Sequence, residues 1–468
     1  MKSDVFNYIF FIIEYFLFFK LYVIIHSCLE IFLLLYYREL ESSDIVRSVG
    51  IYTLGCKVNT YESEYIINLL KESGYVIKDF DEMCDVYIIN TCTVTNNSDS
   101  KSKKIIRQAI RRNPDACVVA MGCFIASHMD YKEQGLDIVL ANKDKSKIVE
   151  LLDEWFNTKE MISCLYKGRL SEFEDMYITD FPGRTRAFVK IQDGCDNFCA
   201  YCIIPFVRGK CRSKEESKVI DEVTSLVKNG YKEVVLTGIH TGSYGVDLDT
   251  SFADLLNKLI KIDGLKRLRI SSIEVTELNE DVLNIIRNSN IIVDHLHIPI
   301  QAGSDEILRS MKRKYDLEFY KKKINEIRDI RPDIAISTDV IVGFPGEDES
   351  LFLKTMETCR EIEFSKLHVF PFSEREGTVA AKLPNKLDNK TKKDYARRLI
   401  NLSKELEINY MNKFIGKELE VLIEEEIDGY SYGHTSNYIH VKIKGSFEHN
   451  SFVKVKLDSV EYPYMIGK

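Results

Sequence analysis

Three short apolar segments of this chain each end in a cysteine, and this repetition limits the possible fold more than any other feature. The segments SVGIYTLGC, DVYIINTC and ACVVAMGC end at Cys56, Cys92 and Cys123. Each is rich in β-branched residues and almost entirely apolar, which is typical of a strand buried on both faces. Helical patterns follow the first two, over ESEYIINLLKESG and DSKSKKIIRQAIRRNP, the second with Asp99 or Ser100 as its predicted N-cap. This alternation predicts an α/β fold with a parallel sheet.

A fourth unit, LDIVLANKDKSKIVELLDEW, repeats the strand-to-helix form, so residues 48–155 are predicted to form one domain. The carboxyl ends of parallel strands lie along one edge of a sheet, where Cys56, Cys92 and Cys123 should therefore converge. A single cysteine at a strand end is most often structural, and that interpretation stays open. Three in successive units favour a metal site, which we predict to be an iron–sulfur cluster with one iron free of cysteine.

A second group of cysteines lies in the run DGCDNFCAYC, with the spacing C-x3-C-x2-C at Cys195, Cys199 and Cys202. Three thiolates at this spacing can hold three corners of a cubane cluster, and the fourth iron can then bind a substrate. The three cysteines are therefore predicted to be catalytic. Cys211 is the only nearby candidate for a fourth ligand. Zinc or inert buried cysteines are alternatives, but zinc sites favour paired C-x2-C motifs, and no second pair is present.

The chain has 468 residues, a length that suggests about three domains at ~150 residues each. Its net charge of −8 gives no overall attraction to nucleic acid, so any RNA affinity must come from local basic patches. The twelve cysteines, without a recognisable cleavage site for a signal peptide, favour metal ligation in a reducing cytoplasm over disulfide bonds.

Residues 5–37 are strongly apolar, and two interpretations of the segment 1–45 stay open. A membrane-associated extension is one, although Glu14, Lys20, His26 and Glu30 interrupt the apolar run. Translation of A/T-rich DNA upstream of the true start is the other, because Phe, Ile, Leu, Tyr and Lys all have A/T-only codons. The segment is left out of the fold prediction.

A loose acidic linker is predicted over residues 156–180, followed by six further strand-and-helix units over 181–410. Six units fit a partial (β/α)6 barrel better than a doubly wound sheet. Barrel chemistry takes place at the strand carboxyl ends, where this chain has glycines and polar side chains. We predict that the following residues bind a cofactor: Gly238, Ser272, Glu274, Gln301, Asp339 and Gly343.

Residues 411–468 alternate apolar and polar positions, which predicts a small five-stranded antiparallel β-barrel. A plain structural appendage is the alternative. Near the second strand cysteine, a strongly basic helix is either a solvated face or a phosphate-binding stripe. Its predicted RNA contacts are Lys101, Lys104, Arg107 and Arg111.

Taken together, these motifs resemble the radical S-adenosylmethionine methylthiotransferase family over residues 48–468. The resemblance rests on TLGCKVNTYES, NTCTVTNNSD and MGC at the strand cysteines, on CDNFCAYCIIP, and on GHTSNY in a C-terminal TRAM domain. It adds His434 and Tyr438 as predicted RNA contacts. One segment departs from the family, because RGKCRSK has Lys214 and the extra Cys211 where the family has a more basic RG-x-x-RSR.

The resemblance implies two [4Fe–4S] clusters and S-adenosylmethionine as cofactors. A 5′-deoxyadenosyl radical would remove hydrogen from C2 of an adenine, and the second cluster would provide sulfur. LGCKVN and RISSIE resemble the branch that modifies N6-threonylcarbamoyladenosine at tRNA position 37, in the anticodon loop. The same reaction on N6-isopentenyladenosine or on a ribosomal-protein aspartate is the alternative, and a non-catalytic iron–sulfur RNA sensor is a distant one. Partners would be a flavodoxin or ferredoxin, a sulfur donor and, if the extension is real, a membrane.

Overall fold

A computed structural model describes residues 46–166 and 168–468, together with His26. The predictions for residues 1–45 otherwise lie outside the described residues, where only His26 is seen, helical and exposed. In the described ranges, no helix is both long and apolar enough to cross a membrane.

The N-terminal part contains a six-stranded, fully parallel sheet in the order β2-β1-β3-β4-β5-β6, which confirms the predicted α/β class. Apolar residues cover both faces of this sheet, as the strand sequences predicted. The two edge strands were not predicted, because their three residues are exposed or half-buried and lack the fully buried apolar run of the equally short β5. The strands are β1 Ser48–Thr53, β2 Val76–Lys78, β3 Val86–Thr91, β4 Cys117–Gly122, β5 Ile138–Leu140 and β6 Ile162–Cys164.

Four helices connect these strands: α1 Lys57–Glu72, α2 Asn96–Arg112, α3 Cys123–Ser127 and α4 Ile148–Thr158. Helix α1 begins directly after the first cysteine, earlier than the predicted segment, which starts at Glu62. The predicted N-cap of α2 was wrong. Thr95 caps the helix by accepting a hydrogen bond from the Ser98 backbone N–H at 3.1 Å, whereas Asp99 binds Arg375 at 2.7 Å.

The central part contains all six predicted strands, in two parallel three-stranded sheets of order β11-β10-β7 and β12-β13-β14. A parallel bridge between Leu268 and Ile292 joins them, which gives the predicted partial barrel. The strands, with the short pair β8 and β9, are β7 Arg186–Lys190, β8 Gln192–Asp193, β9 Arg212–Ser213, β10 Glu233–Thr237, β11 Arg267–Ile270, β12 His295–His297, β13 Ala335–Val342 and β14 Lys366–Pro371.

Helices on the outside of the barrel complete one large apolar core. Seven of them are α6 Glu216–Lys228, α7 Phe252–Leu259, α8 Glu280–Asn288, α9 Asp305–Ser310, α10 Leu317–Ile330, α11 Glu349–Ile362 and α12 Asn389–Asn412. The short helix α5 Ile204–Val207 packs instead against Cys123 of the N-terminal domain.

The segment before the barrel is not the loose linker that its acidic composition suggested. Met176, Ile178 and Phe181 are each at most 1% exposed and belong to the barrel core. The Tyr61 hydroxyl of helix α1 donates a hydrogen bond to the Met176 carbonyl at 2.8 Å. Residues in this segment therefore fasten the N-terminal sheet domain to the barrel.

The C-terminal part forms the predicted five-stranded barrel, closed in the order β15-β16-β17-β19-β18. One detail differs from the predicted antiparallel arrangement, because strands β17 and β19 pair in parallel. The strands are β15 Glu418–Ile427, β16 Tyr430–Thr435, β17 His440–Lys444, β18 Phe452–Glu461 and β19 Tyr464–Gly467.

Candidate functional site

The three strand cysteines lie together at the carboxyl edge of the N-terminal sheet. Cys56 precedes helix α1, Cys92 follows β3, and Cys123 begins α3. Gly55 has φ +105°, and a Cβ there would lie only 3.1 Å from Cys92 Cβ, so the turn before Cys56 needs glycine to pack this closely. Burial, and then the neighbouring Cys123 and Cys56, raise the pKa of Cys92 to about 11.

Hydrogen-bond donors point at the sulfur of Cys123. Arg208 Nε lies 3.3 Å and Asn142 Nδ2 lies 3.5 Å from its Sγ. Donors of this kind stabilise a metal-bound thiolate and tune the metal. Neither Arg208 nor Asn142 was identified as a site residue from the sequence, although RGKCRSK, which contains Arg208, was noted as unusual.

Arg208 belongs to a buried charge network that connects both cysteine groups. Its Nη1 lies 2.9 Å from Glu62 Oε1 and 3.2 Å from Asp193 Oδ1, two residues before Cys195. Burial raises the pKa of Glu62, but Arg208 and two lysines outweigh it and hold the pKa well below its usual range. The members, each at most 3% exposed, are Glu62, Lys145, Lys190, Asp193, Arg208 and Arg212.

This network holds four cations and only two carboxylates, so its formal charge is +2. An uncompensated buried charge is costly, and anionic thiolates beside Arg208 would offset it. The charge balance around Cys123 therefore fits a cluster held by the strand cysteines.

The C-x3-C-x2-C loop follows the short strand β8 at the carboxyl edge of the barrel. Arg313 Nη1 lies 3.2 Å from Cys199 Sγ, and the Asn197 backbone N–H lies 3.5 Å from Cys195 Sγ. Burial raises the pKa of Cys202 to about 12. A buried thiol with such a pKa loses its proton readily only when it binds a metal. The hydrogen-bond donors at Cys199 and Cys195 favour the thiolate form of those two sulfurs.

His240 and Arg313 lie beside this loop, and neither was identified as a site residue from the sequence. His240 lies 2.7 Å from Glu277, and its pKa is about 10 because, although burial lowers it, hydrogen bonds to Cys195 and Glu277 raise it. Arg313 forms an ion pair with Glu274. Glu274, a predicted cofactor contact, therefore lies beside the C-x3-C-x2-C loop, paired with the arginine that contacts Cys199.

The residues that depart from the family pattern are part of the packed structure. Lys214 Nζ, fully buried, lies 2.6 Å from Glu222 and so retains the positive charge of the expected arginine. Cys211 Sγ accepts a hydrogen bond from Gln192 Nε2 at 3.1 Å. Burial raises the pKa of Cys211 to about 11, although the bond from Gln192 lowers it.

In the two described ranges, no three His, Cys, Asp or Glu side chains are close enough to hold a single metal ion. A cubane cluster places its cysteines on different irons, and so does not need such a close group.

A cavity of about 710 Å³ runs from Cys56 through the barrel interior to the C-terminal barrel. Of the six predicted cofactor contacts, Gly238, Ser272 and Asp339 line it. Gln301 and Gly343 do not. Gly343 has φ +73°, and a Cβ there would meet Lys392 at 2.3 Å, so packing against helix α12 also requires glycine at this position. Its role as a cofactor contact stays a prediction.

Gln301 is also explained by the backbone. Its N–H donates to the Asp339 carbonyl at 2.9 Å, and its carbonyl accepts from Ile341 at 2.8 Å. A φ of 66° sets this irregular link between the segment after β12 and strand β13.

The aromatic residues that were predicted to bind RNA lie on the wall of the cavity. His434 and Tyr438 stack at 4.7 Å, and the Tyr438 hydroxyl accepts a hydrogen bond from Arg186 Nη1 at 3.0 Å. Arg186 belongs to β7 of the central barrel, whereas His434 Nδ1 lies 3.0 Å from Glu424 of the C-terminal barrel. The role of His434 and Tyr438 in RNA binding stays a prediction.

The basic helix α2 presents most of its predicted contacts to the surface beside Cys92. Lys101, Lys104, Arg107 and Arg111 are exposed. Arg107 is paired with Glu133 at 2.8 Å, which leaves the other three as the surface cations of this stripe.

Comparison with family descriptions matches two parts of the chain. Residues 189–359 match the radical SAM superfamily, and residues 48–140 match the uncharacterized protein family UPF0004. The first range contains the C-x3-C-x2-C loop, and the second contains all three strand cysteines.

Characterised relatives cover most of the chain. A Bacillus subtilis protein named threonylcarbamoyladenosine tRNA methylthiotransferase MtaB is 43% identical, over 90% of this chain and 96% of its own length. A Thermotoga maritima protein of the same name is 37% identical, over 86% and 92%. A Thermoanaerobacter pseudethanolicus protein named tRNA-2-methylthio-N(6)-dimethylallyladenosine synthase is 35% identical, over 80% and 81%.

Among solved structures, the radical S-adenosylmethionine methyltransferase TsrM from Kitasatospora setae has a similar fold. The TM-score is 0.51 at 14% identity, over 69% of this chain and 73% of that one. At this identity the likeness supports the fold alone. The relatives at 35–43% identity over most of the chain go further: the chain belongs to the radical SAM methylthiotransferase family and is an enzyme.

Proposed function

We propose that this enzyme adds a methylthio group to C2 of N6-threonylcarbamoyladenosine at position 37 of tRNA. The observation that carries the proposal is the position of Cys56, which opens into the barrel cavity and is one of three converging strand cysteines. A group held there faces the same space as the polar ends of the barrel strands. The relatives named for this substrate support the choice of nucleoside.

We propose that Cys56, Cys92 and Cys123 hold one [4Fe–4S] cluster and that Cys195, Cys199 and Cys202 hold the other. When bound, the second cluster and S-adenosylmethionine supply a carbon radical that removes hydrogen from an unreactive carbon, and the first supplies sulfur. Arg208 and Arg313 would each stabilise a thiolate, at Cys123 and Cys199 respectively.

The polar strand ends of the barrel would orient the adenine and S-adenosylmethionine. Gly238 leaves space beside Gln192, because a Cβ there would meet its Oε1 at 3.0 Å. Ser272 and Asp339 offer a hydroxyl and a carboxylate to the cavity. His297 Nε2 lies 3.2 Å from Asp339 Oδ1 and so orients that carboxylate.

The tRNA base would enter this cavity from the anticodon loop, where an unpaired base is displaced at low cost. The exposed cations of helix α2 lie at the same edge as Cys92 and would contact backbone phosphates. A reductant such as a flavodoxin or ferredoxin, and a sulfur donor that restores the first cluster, are the other partners that the reaction requires.

The test uses anaerobically reconstituted enzyme, S-adenosylmethionine, a strong reductant and threonylcarbamoylated tRNA. We expect a methylthio addition on adenosine 37 by mass spectrometry of the digested RNA, together with 5′-deoxyadenosine. Formation of 5′-deoxyadenosine without modified tRNA would contradict the substrate. The absence of both products, with both clusters intact by iron and sulfide analysis, would contradict the whole mechanism.

The second candidate substrate is N6-isopentenyladenosine, which the 35%-identical relative named a dimethylallyladenosine synthase favours. The two nucleosides differ in charge, because the threonyl group has a carboxylate and the isopentenyl group is apolar. Competition between the two modified tRNAs in one reaction separates the candidates.

A further inference from the structure

The cavity is lined by an arginine with an unused hydrogen-bonding edge, near Lys57. Arg269 is 2% exposed and lines the cavity. Its Nε donates to Glu233 Oε1 at 2.7 Å. Its Nη1 and Nη2 are buried, and neither has a hydrogen-bond partner among the described residues. A buried guanidinium edge without a partner is unfavourable, so a ligand in the cavity would account for it.

Positive charge is in excess around Arg269. Glu233 is 3.7 Å from Arg267 as well as 2.7 Å from Arg269, so the two guanidinium groups share this buried carboxylate. The second partner of Arg267 is the half-exposed Glu420, at 3.6 Å. Lys57, the first residue of helix α1, also lines the cavity and has no ion pair within the described ranges. The positive end of that helix dipole adds to the same field.

The excess of positive charge lowers the pKa of two neighbouring side chains. Burial raises the pKa of Tyr438, but Arg186, Lys57 and Arg269 together lower it below its ordinary value. Burial first, and then Arg269, lower the pKa of His295 well below its ordinary value. His295 Nδ1 is also buried without a partner in the described part of the chain. The region therefore has unused donors and a positive field, and it suits an anion.

We propose that Lys57 and Arg269 bind the carboxylate of the threonylcarbamoyl group, and that this contact selects the substrate; the proposal rests on the function proposed above. The free Nη1 and Nη2 of Arg269 form a planar fork, which matches the two oxygens of a carboxylate. Lys57 follows Cys56 directly, so the same short segment would hold both the anionic substituent and a ligand of the sulfur-supplying cluster.

A carboxylate in this cavity has two possible sources, the threonyl group of the base and the methionyl group of S-adenosylmethionine. The cationic group at Lys57 and Arg269 lies beside the C-terminal barrel residue Tyr438, over whose ring Arg269 Cζ stands at 4.5 Å. The C-x3-C-x2-C loop has its own cation, Arg313, beside Cys199. We therefore assign Lys57 and Arg269 to the threonyl carboxylate.

The experiment compares threonylcarbamoylated anticodon stem-loop RNA with its methyl ester, which has nearly the same shape but no charge. Dissociation constants and kcat/KM are measured for the holoenzyme, for Lys57→Gln and for the control Lys71→Gln. Lys71 lies near the exposed end of the same helix, away from the cavity. We expect the wild type and Lys71→Gln to prefer the acid by about tenfold or more, and Lys57→Gln to lose most of that preference.

Arg269→Lys is the second variant, since it keeps the charge but removes the fork. Iron content and circular dichroism establish that it is folded, and we expect a preference between those of the wild type and Lys57→Gln. Equal preference for acid over ester in all variants would overturn the proposal, as would a rise in the KM for S-adenosylmethionine with the RNA preference unchanged. Failure of wild-type turnover on both RNAs would instead contradict the proposed function, while the binding ratios still test the anion site.

Discussion

At the scale of single residues, Glu347 shows how burial changes the protonation of a carboxyl group. It is 1% exposed, and one of its oxygens accepts the Gly343 backbone N–H while the other has no partner among the described residues. Burial raises its pKa to about 7, although hydrogen bonds from Gly343 and Phe344 lower it. The carboxyl is therefore better accommodated when it carries a proton.

This protonation makes stability depend on pH in a defined direction. Because the pKa of Glu347 is higher in the folded state than its ordinary 4.5, its contribution is complete below about pH 4.5 and is lost as the pH rises through about 7. We expect the free energy of unfolding to fall by about 2 kcal/mol between pH 5.5 and 7.5 from this group. Urea unfolding of Glu347→Gln should lack this decrease, whereas the exposed control Glu376→Gln should retain it. The same slope in both variants would contradict the assignment.

At the scale of elements, helix α2 has a capped start close to Cys92 and a charged outer face. Its first turn follows Cys92, and Thr95 fixes its start. Its buried positions face the sheet, and three of the remaining positions present exposed cations that have no ion pair among the described residues. The net charge of the chain is negative, so a local patch of this kind is where polyanion binding is expected.

Removing the surface cations of this helix should weaken tRNA binding without changing the radical chemistry. We expect the combined variant Lys101→Gln, Lys104→Gln and Arg111→Gln to bind tRNA more weakly. The slope of log K against log salt should decrease by about one for each lost phosphate contact. The control is Lys390→Gln with Lys393→Gln, which removes exposed charges from helix α12. Equal salt slopes for the wild type and the α2 variant would show that the stripe is only a solvated face.

The strands and helices were predictable where they are long and apolar, and the misses have physical reasons. Strands β2 and β6 lack a fully buried apolar run, and the packing of Met176 and Phe181 depends on partners distant in sequence. The convergence of Cys56, Cys92 and Cys123 followed from sheet geometry alone. The roles of Arg208 and Arg269 could not be predicted from the sequence, because they depend on which buried side chains surround each arginine in the fold. The prediction for Gly343 is not decided by its position, because a glycine at a strand end can serve packing as readily as ligand binding.

At the scale of the whole molecule, two buried arginines hold the N-terminal domain against the barrel. Arg208 does so beside Cys123. Arg375, in the loop after β14, donates to the Thr93 carbonyl at 2.7 Å and pairs with Asp99. Each arginine contacts the segment around one strand cysteine, so the distance between the two cysteine groups depends on these contacts.

Removing the Arg375 contact should uncouple the formation of 5′-deoxyadenosine from the methylthiolation of tRNA. We expect Arg375→Ala to retain its iron and to form 5′-deoxyadenosine, but to methylthiolate tRNA about tenfold more slowly or worse, because small displacements of reacting groups are costly. The ratio of modified nucleoside to 5′-deoxyadenosine measures the coupling. The exposed Arg397→Ala is the matched control. A coupling ratio like that of the wild type would mean that Arg375 has no positioning role.

The excess of two positive charges in the buried network also has a consequence for the lifetime of the protein. A chain that loses its iron to oxygen keeps those charges at the domain boundary without the thiolates that offset them. The boundary should then open, and the segment over residues 168–185, which Met176, Ile178 and Phe181 anchor in the barrel core of the intact protein, becomes a substrate for proteases. Oxygen exposure followed by brief trypsin treatment should cleave there, and protection should return with reconstitution. Damage to the metal centre would thus be converted into a signal for removal of the chain.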